Sequence, residues 1–327
     1  MFMTEAWIWQ EQSEPDALVF KETALPALKA DHVLIKNKAV GLNPVDWKIL
    51  ASAPETWQSG HIPGVDGMGE IIALGSGVQH LRIGTRVAYH TDLRFAGSFA
   101  RHTVVAAHAL IPIPEALTDI VAAAFPCPAM TAWQAMKRVP ELAGSSVLVN
   151  GAGGAVGGIL TQLLTQANAR VYATASERHH TLLQQKGAIV TFDYHQSDWQ
   201  EQLQSALKGQ FLHAAFDMVN QQSAESLGHL LGYYGHLVSV QDRVEKSPVP
   251  PFSTSISLHE IALAAIHSHG SPAQWLRLVA AAGDMLKQIS RGELRMPTIK
   301  TVAFASLPEA LNAMKLNNDG VKYVAEL

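Results

Sequence analysis

The stretch "NGAGGAVGG", residues 150–158, decides the reading of this chain. Five of its nine residues are glycine. An apolar, β-branched run, "SVLV", precedes it, and "ILTQLLTQ", apolar at helical spacing, follows. Glycine inside a strand or a helix costs conformational entropy, so a bare backbone between the two needs a reason. A turn of this kind, closing a strand and opening a helix, lets free backbone N–H groups and the positive helix end face an anion such as a dinucleotide pyrophosphate. Gly151 and Gly153 fit the first two places of G-x-G-x-x-G, but Val156 stands in the third. The register that works is Gly151-x-x-Gly154-x-x-Gly157. There Gly154 and Ala155 allow close approach of the ligand, and Gly157 lets the helix pack on its strand. An ordinary tight strand–helix turn is the alternative reading.

The context favours the nucleotide. From about residue 145 the strands "SVLVN", "RVYATAS", "IVTFD", "AAFDMV" and "HLVSV" alternate with helical stretches. The helical stretches are "AVGGILTQLLTQA", "ERHHTLLQQKG", "SDWQEQLQSALKG" and "SAESLGHLLGYYG". Strand–helix alternation with near-continuous apolar strands predicts a doubly wound parallel sheet in an α/β fold. The second strand ends about 20 residues past the glycines, where an NAD site places an acid on the ribose 2′-OH. Here the chain has Ser176, Glu177 and Arg178. A small donor and a guanidinium favour the 2′-phosphate of NADPH. Glu177 pulls the other way, and Arg178 is otherwise a solvated first-turn residue. Tyr194, after the third strand, is placed along the adenosine side or simply packs.

Before residue 115 the texture is different. Short β-rich pieces, "AWIWQ", "ALVFKE", "HVLIKNKAVGL", "GEIIALG", "TRVAYH" and "FARHTVVAA", are separated by turn residues, with no long amphipathic helix. A β-barrel-like domain is expected. After the loop "SPVPP" (247–251) comes a long helix, "SPAQWLRLVAAAGDMLKQISRGEL". Strand-like "TIKTVAFA" and "VKYVAEL" then return to the early texture, so the tail is expected to pack on the first domain.

Composition sets the outer bounds. The chain has 327 residues, 48% apolar and 16% charged, with net charge −4 and no basic run. Nucleic acid and anionic membrane are therefore not expected as partners. The opening "MFMTEAWIWQEQSE" has no basic start or small-residue cleavage site, so no secretory signal is expected and a cytoplasmic location is. Cys127 is the only cysteine, which excludes an intramolecular disulfide and a Cys-rich zinc lobe.

Several motifs carry a specific resemblance. They are "AVGLNPVDWK" (39–48), "IPGVDGMGEIIALGSGV" (62–78), "IGTRVAY" (83–89), "GSFARHTVV" (97–105), "PAMTAWQAM" (128–136) and the glycine loop. Across nearly its whole length the chain resembles the zinc-independent, quinone oxidoreductase-like branch of the medium-chain dehydrogenase/reductases. The resemblance implies a GroES-like catalytic domain over 1–120, completed by 266–327, and a Rossmann NADPH-binding domain over 121–265. It also implies a cofactor in the cleft between the domains, and commonly a homodimer. The residues expected to hold NADPH are Asn43, Thr131, Gly151, Gly154, Ala155, Val156, Gly157, Ser176, Arg178, Tyr194 and Val240.

Zinc members of the family have a Cys ligand where this chain has Asn43 and a His where it has Val65. Asp66 and, nearby, Cys127 remain. Asn and Val do not replace thiolate and imidazole, so no metal is expected. The pairs His179–His180 and His267/His269 lack a ligand partner at useful spacing and read as surface or helix-face residues.

Without a Lewis acid an unactivated alcohol is hard to oxidise. A quinone or an α,β-unsaturated carbonyl carries its own developing charge, so a small molecule of that class is the expected substrate, reduced by hydride from NADPH. Asn43 is the candidate donor to substrate or ribose. Asp46, Trp47 and Tyr89 are candidate catalytic neighbours, with Asp46 as a helix cap and Trp47 as a core residue the alternatives. An enoyl-thioester reductase and a nucleotide-binding, crystallin-like protein without turnover are the competing functions.

Overall fold

A computed structural model describes residues 2–317 and 320–327. In chain order it shows β1 (Met3–Ile8), β2 (Val19–Ala24), β3 (His32–Leu42), α1 (Pro44–Ala51), β4 (Asp66–Leu74), β5 (Arg86–His90), β6 (His102–Ala106) and β7 (Ile111–Pro112). Helices α2 (Asp119–Ala124) and α3 (Pro126–Lys137) follow. Next come β8 (Ser146–Asn150), α4 (Ala155–Gln166), β9 (Arg170–Thr174), α5 (His180–Gln185), β10 (Val190–Phe192) and α6 (Trp199–Leu207). Then β11 (Leu212–Asp217), α7 (Gln221–Ser226), β12 (Leu231–Ser239) and β13 (Ser257–Glu260). The tail forms α8 (Ile266–His269), α9 (Pro272–Ser290), β14 (Ile299–Ala303), α10 (Leu307–Leu316) and β15 (Lys322–Glu326). The chain divides into two compact units, 1–127 with 264–327, and 128–263.

The second unit is built on one parallel sheet of order β10-β9-β8-β11-β12-β13. Numbered within the unit, that order is 3-2-1-4-5-6, the doubly wound Rossmann order. All five residues of β8 are buried, which is why "SVLVN" shows no alternation: helices cover both faces. The helix expected across 223–235 is shorter than the sequence suggests. It ends at Ser226, and β12 begins at Leu231. Gly232 and Gly235 weaken a helix there, and Tyr234 between them takes a left-handed φ of 56° that interrupts it.

The first unit is organised by β3, which pairs antiparallel with β4, β6 and β15. The sheet runs β14-β15-β3-β4-β5-β7. The last strand of the chain is therefore an interior strand beside one of the first, as the return of strand texture in the tail suggested. One core joins Ile8, Leu34, Val40, Leu42 and Phe99 to Phe304, Leu311 and Tyr323.

Tyr89 belongs to the interior of this unit. It is fully buried, and its hydroxyl donates to Asn37 Oδ1 at 2.6 Å. The Asn37 amide donates in turn to Ala100 O at 2.7 Å and Thr103 Oγ1 at 2.9 Å. The ring lies across Gly67, its partner on β4, where a Cβ would come within 2.3 Å of the hydroxyl. Burial pushes the Tyr89 hydroxyl well above the usual phenol range. The expectation that Tyr89 is a catalytic neighbour is therefore corrected: it ties β3 to β5 and faces no solvent. Tyr89→Phe leaves Asn37 Oδ1 buried without its donor. The expected cost is about 1–3 kcal/mol, read as a lower urea midpoint; an unchanged midpoint would show that water or a shifted neighbour satisfies the amide.

Candidate functional site

In the second unit the glycine turn rises from the end of β8. Gly151 takes a left-handed φ of 76°, and its N–H donates to Thr174 Oγ1 at 3.0 Å. The next N–H, of Ala152, donates to Thr174 O at 2.8 Å, so the turn is tied to the end of β9. Gly154 is the N-cap of α4, and no side chain caps that helix. A Cβ on Gly154 would meet nothing nearer than 3.9 Å, so the space above it is open. Gly157 has the opposite surroundings. A Cβ there would lie 2.7 Å from Ala152 Cα, so this glycine lets the helix close on the turn. Ala155 and Val156 form the first turn of α4 between them.

Beneath the turn lies a side-chain network that sequence reasoning missed. Asn150 accepts from Thr174 Oγ1 at 2.5 Å and donates to Asp217 Oδ2 at 2.7 Å and to Ser223 Oγ at 2.8 Å. Ser223 Oγ donates to the same Asp217 oxygen at 2.6 Å. The other oxygen of Asp217 accepts from the N–H groups of Val219 and Asn220. Four elements, β8, β9, β11 and α7, are thus locked at the strand ends that carry the turn. The available signal was a polar residue closing each apolar strand, Asn150 in "VLVN" and Asp217 in "AAFD". Val240 joins the same region, its N–H donating to Asp217 O at 2.9 Å.

The end of β9 leads through Ser176 into a short turn, Glu177–His179. Ser176 is half-buried, and Glu177 and Arg178 are exposed. Arg178 Nε donates to His179 Nε2 at 3.1 Å. The His179 ring covers Gly153, where a Cβ would come within 2.8 Å of it. His180 Nε2 lies 3.0 Å from Ala175 O. His179 and His180 are half-buried at the start of α5, in keeping with helix-face residues, with their rings turned toward Gly153 and Ala175 O. Tyr194 is half exposed and packs on His195, with ring centroids 4.2 Å apart. Thr131 is buried within α3.

In the first unit the sequence-predicted residues do not share one surface. Asn43 and Asp46 are buried. Asn43 is the N-cap of α1, and Asp46 Oδ2 accepts its backbone N–H at 2.7 Å, as a capping residue does. Asp46 Oδ1 accepts from Val65 N at 3.0 Å. The Asn43 amide donates to Asp66 Oδ2 at 2.9 Å, and its oxygen accepts from Lys322 Nζ at 2.5 Å. Both ends of that amide are engaged inside the protein. A role of Asn43 toward substrate or cofactor would have to share this amide with Asp66 and Lys322. Trp47, one turn beyond Asn43 on α1, has its ring near Lys48 and Lys315, and its Nε1 is buried without a hydrogen-bond partner. Its indole N–H takes no part in the hydrogen bonds of the Asn43–Asp66 centre.

Asp66 is buried and accepts Cys127 N on both oxygens at 3.0 Å. Lys322 Nζ lies 3.5 Å from Asp66 Oδ2. Burial, with the neighbouring Asp66 charge, pushes Asp46 up to about 7. Burial pushes Asp66 up to about 6 against the opposing pull of Lys322. His90, opposite Asp66 in the register, is pulled by burial down to about 4 and has an unpartnered Nδ1. Its ring stacks on His267, which in turn meets Trp275 edge-on. His267 is thus a half-buried helix-face residue of α8, as one of the two readings had it. Among the described residues no group of three or more His, Cys, Asp or Glu is placed to hold a metal ion, and no helix is long and apolar enough to cross a membrane.

Two family models match this chain. That of the alcohol dehydrogenase GroES-like domain covers residues 29–115, and that of the zinc-binding dehydrogenases covers residues 155–282. The trans-enoyl reductase tazE of Aspergillus terreus is 31% identical over 255 residues, 72% of this chain and 83% of that protein. A chloroplastic quinone-oxidoreductase homolog of Spinacia oleracea is 32% identical over 190 residues, 55% of this chain and 57% of that one. The chain thus spans little more than half the length of the spinach relative. A quinone oxidoreductase structure from Coxiella burnetii covers the whole chain and is itself wholly covered, with a TM-score of 0.83 at 22% identity, a likeness of fold. With the GroES-like and dehydrogenase matches on its two units, and a relative covered over most of its length, the chain belongs to the medium-chain dehydrogenase/reductase family, in its quinone oxidoreductase-like branch.

Proposed function

We propose that this protein is an NADPH-dependent, zinc-independent oxidoreductase that delivers hydride to a quinone or another α,β-unsaturated carbonyl. The observation that carries the proposal is the open turn at Gly154. It caps a twelve-residue helix with no side-chain cap, on the first strand of a Rossmann-ordered sheet, with space where a Cβ would point. Unpaired N–H groups of a first helical turn attract an anion, and a pyrophosphate suits the space. Arg178 and Ser176 at the end of β9 then lie on the ribose side, and the exposed guanidinium matches a 2′-phosphate. When bound, NADPH supplies the hydride from C4 of its nicotinamide.

The donor set of the first unit argues for a site that works without zinc. Asn43 offers an amide and Val65 offers no ligand. Asp66 already has the Lys322 ammonium at 3.5 Å, and that fixed positive charge opposes a second cation. An acceptor whose conjugation spreads the incoming charge needs orientation and exclusion of water more than a Lewis acid. The trans-enoyl reductase relative favours conjugated acceptors as the substrate class.

Two binding measurements bear on the cofactor. Arg178→Ala is expected to weaken NADPH by about 10- to 150-fold, the equivalent of a charge-assisted bond worth about 1.5–3 kcal/mol, and to leave NADH unchanged. Equal affinity of the wild type for the two would instead give the governing role to Glu177. Gly154→Val, whose branched side chain fills the open space, is expected to abolish measurable NADPH binding by fluorescence titration while the circular dichroism spectrum stays that of the wild type. Wild-type binding by that variant would mean that the turn serves the fold alone. For the reaction, NADPH oxidation is expected with 1,4-benzoquinone and with a small enone. Brisk oxidation of an aliphatic alcohol with NADP⁺ would reverse the reading.

A further inference from the structure

Lys322 is an ammonium with 3% exposure in the last strand of the chain. A buried charge is costly unless it is paired and hydrogen-bonded. Its Nζ donates to Asn43 Oδ1 at 2.5 Å and stands 3.5 Å from Asp66 Oδ2. Asn43 in turn holds Asp66 through its amide and Asp46 through its backbone N–H. Asp46 grips Val65, and Asp66 grips the backbone of Cys127. One ammonium therefore meets two fully buried carboxylates through a single asparagine.

Among the described residues Lys322 is the one cation paired with Asp66. His90, opposite Asp66 on β5, stays neutral near neutral pH, and Cys127 contributes its backbone N–H. On the elements packed against β15, Asp119 of α2 is paired with Arg86, and Lys300 of β14 lies over the Tyr323 ring. Glu326, at the far end of β15, is exposed.

We propose that Lys322 is the positioning residue of the Asn43–Trp47 segment: its ammonium fixes the rotamer of the Asn43 amide and keeps Asp66 in its ionised form. A segment near residue 43 is thereby held by a side chain 279 positions later. That this segment serves the acceptor end of the reaction rests on the reductase reading above; the charge coupling itself does not.

The sign of the pH dependence follows from the pairing. Asp66 and Asp46 titrate above their unfolded values, so the folded state holds more protons than the unfolded state between about pH 4 and 7. Wild-type stability is therefore expected to fall as pH rises through that window. The Lys322–Asp66 attraction exists only once Asp66 is ionised. Lys322→Met removes it, so Asp66 titrates higher and the fall continues to higher pH.

The test compares wild type, Lys322→Met, Asp66→Asn and the double variant by thermal denaturation at pH 5 and pH 8, without cofactor. The Tm gap between wild type and Lys322→Met is expected to be at least about twofold larger at pH 8. The double variant is expected to regain part of what the single ones lose, because both charges leave together. A gap that is the same at both pH values, or strictly additive losses, would overturn the proposal. With NADPH and benzoquinone, Lys322→Met is expected to move the acid limb of the kcat profile upward by about one pH unit or more, with NADPH affinity retained. Turnover with an unmoved acid limb also overturns it. Coupled stabilities in a protein that turns over no acceptor would support the positioning of the segment and count against the reductase reading alone.

Discussion

A lysine, two carboxyl groups and an amide share one buried space, and they tie several elements of the first unit together. Lys322, Asp66 and Asp46 are each almost completely removed from solvent. Each would cost several kcal/mol left alone. Asn43 makes the arrangement possible, because an amide both donates and accepts: its NH₂ meets a carboxylate while its oxygen meets the ammonium. The helix that begins there, the strand that starts at Asp66 and the last strand of the chain are thereby pinned together. The positions that the family resemblance sets against metal ligands, Asn43 and Asp66, are here in contact with a lysine.

The second unit solves a different problem. A turn with no side chains has few contacts of its own, so its shape must be imposed from below. Asn150, Thr174, Asp217 and Ser223 do this with short hydrogen bonds among the ends of three neighbouring strands and one helix. The turn can then stay bare on its outer side, which is the condition for a phosphate to approach its N–H groups. His179 bears on the same turn from the end of β9 through its ring against Gly153. A close steric fit against His179 keeps Gly153 from carrying a side chain, whereas Gly154 faces open space.

Much of this was legible in the linear chain, for reasons of periodicity. Fully apolar strands alternating with helices require a covered parallel sheet, and the glycine spacing marks the turn between its first strand and helix. The capping role of Asp46 was also readable, three residues after Asn43 and beyond a proline. Other elements were not. Tyr89 ends an apolar strand and looks available for chemistry, but strand pairing sets it over Gly67 and against Asn37. The tyrosines at 233 and 234 follow a helical stretch, and only the pairing of Leu231 and of His236–Ser239 with β11, and of the latter with β13, draws that region into a strand. His267 gave no sign of burial because its partners, His90 and Trp275, come from a distant strand and another helix.

The sequence by itself determined the fold class, the place of the glycine turn, the family and the return of the tail to the first unit, because each is written in local pattern or in contiguous motifs. What only the tertiary structure decided is where the charges go. A lysine in "VKYVAEL" and an asparagine in "GLNPVDW" carry no local mark of each other. They meet because β15 is inserted beside β3, and a charge without water must find its partner wherever the fold brings one within reach.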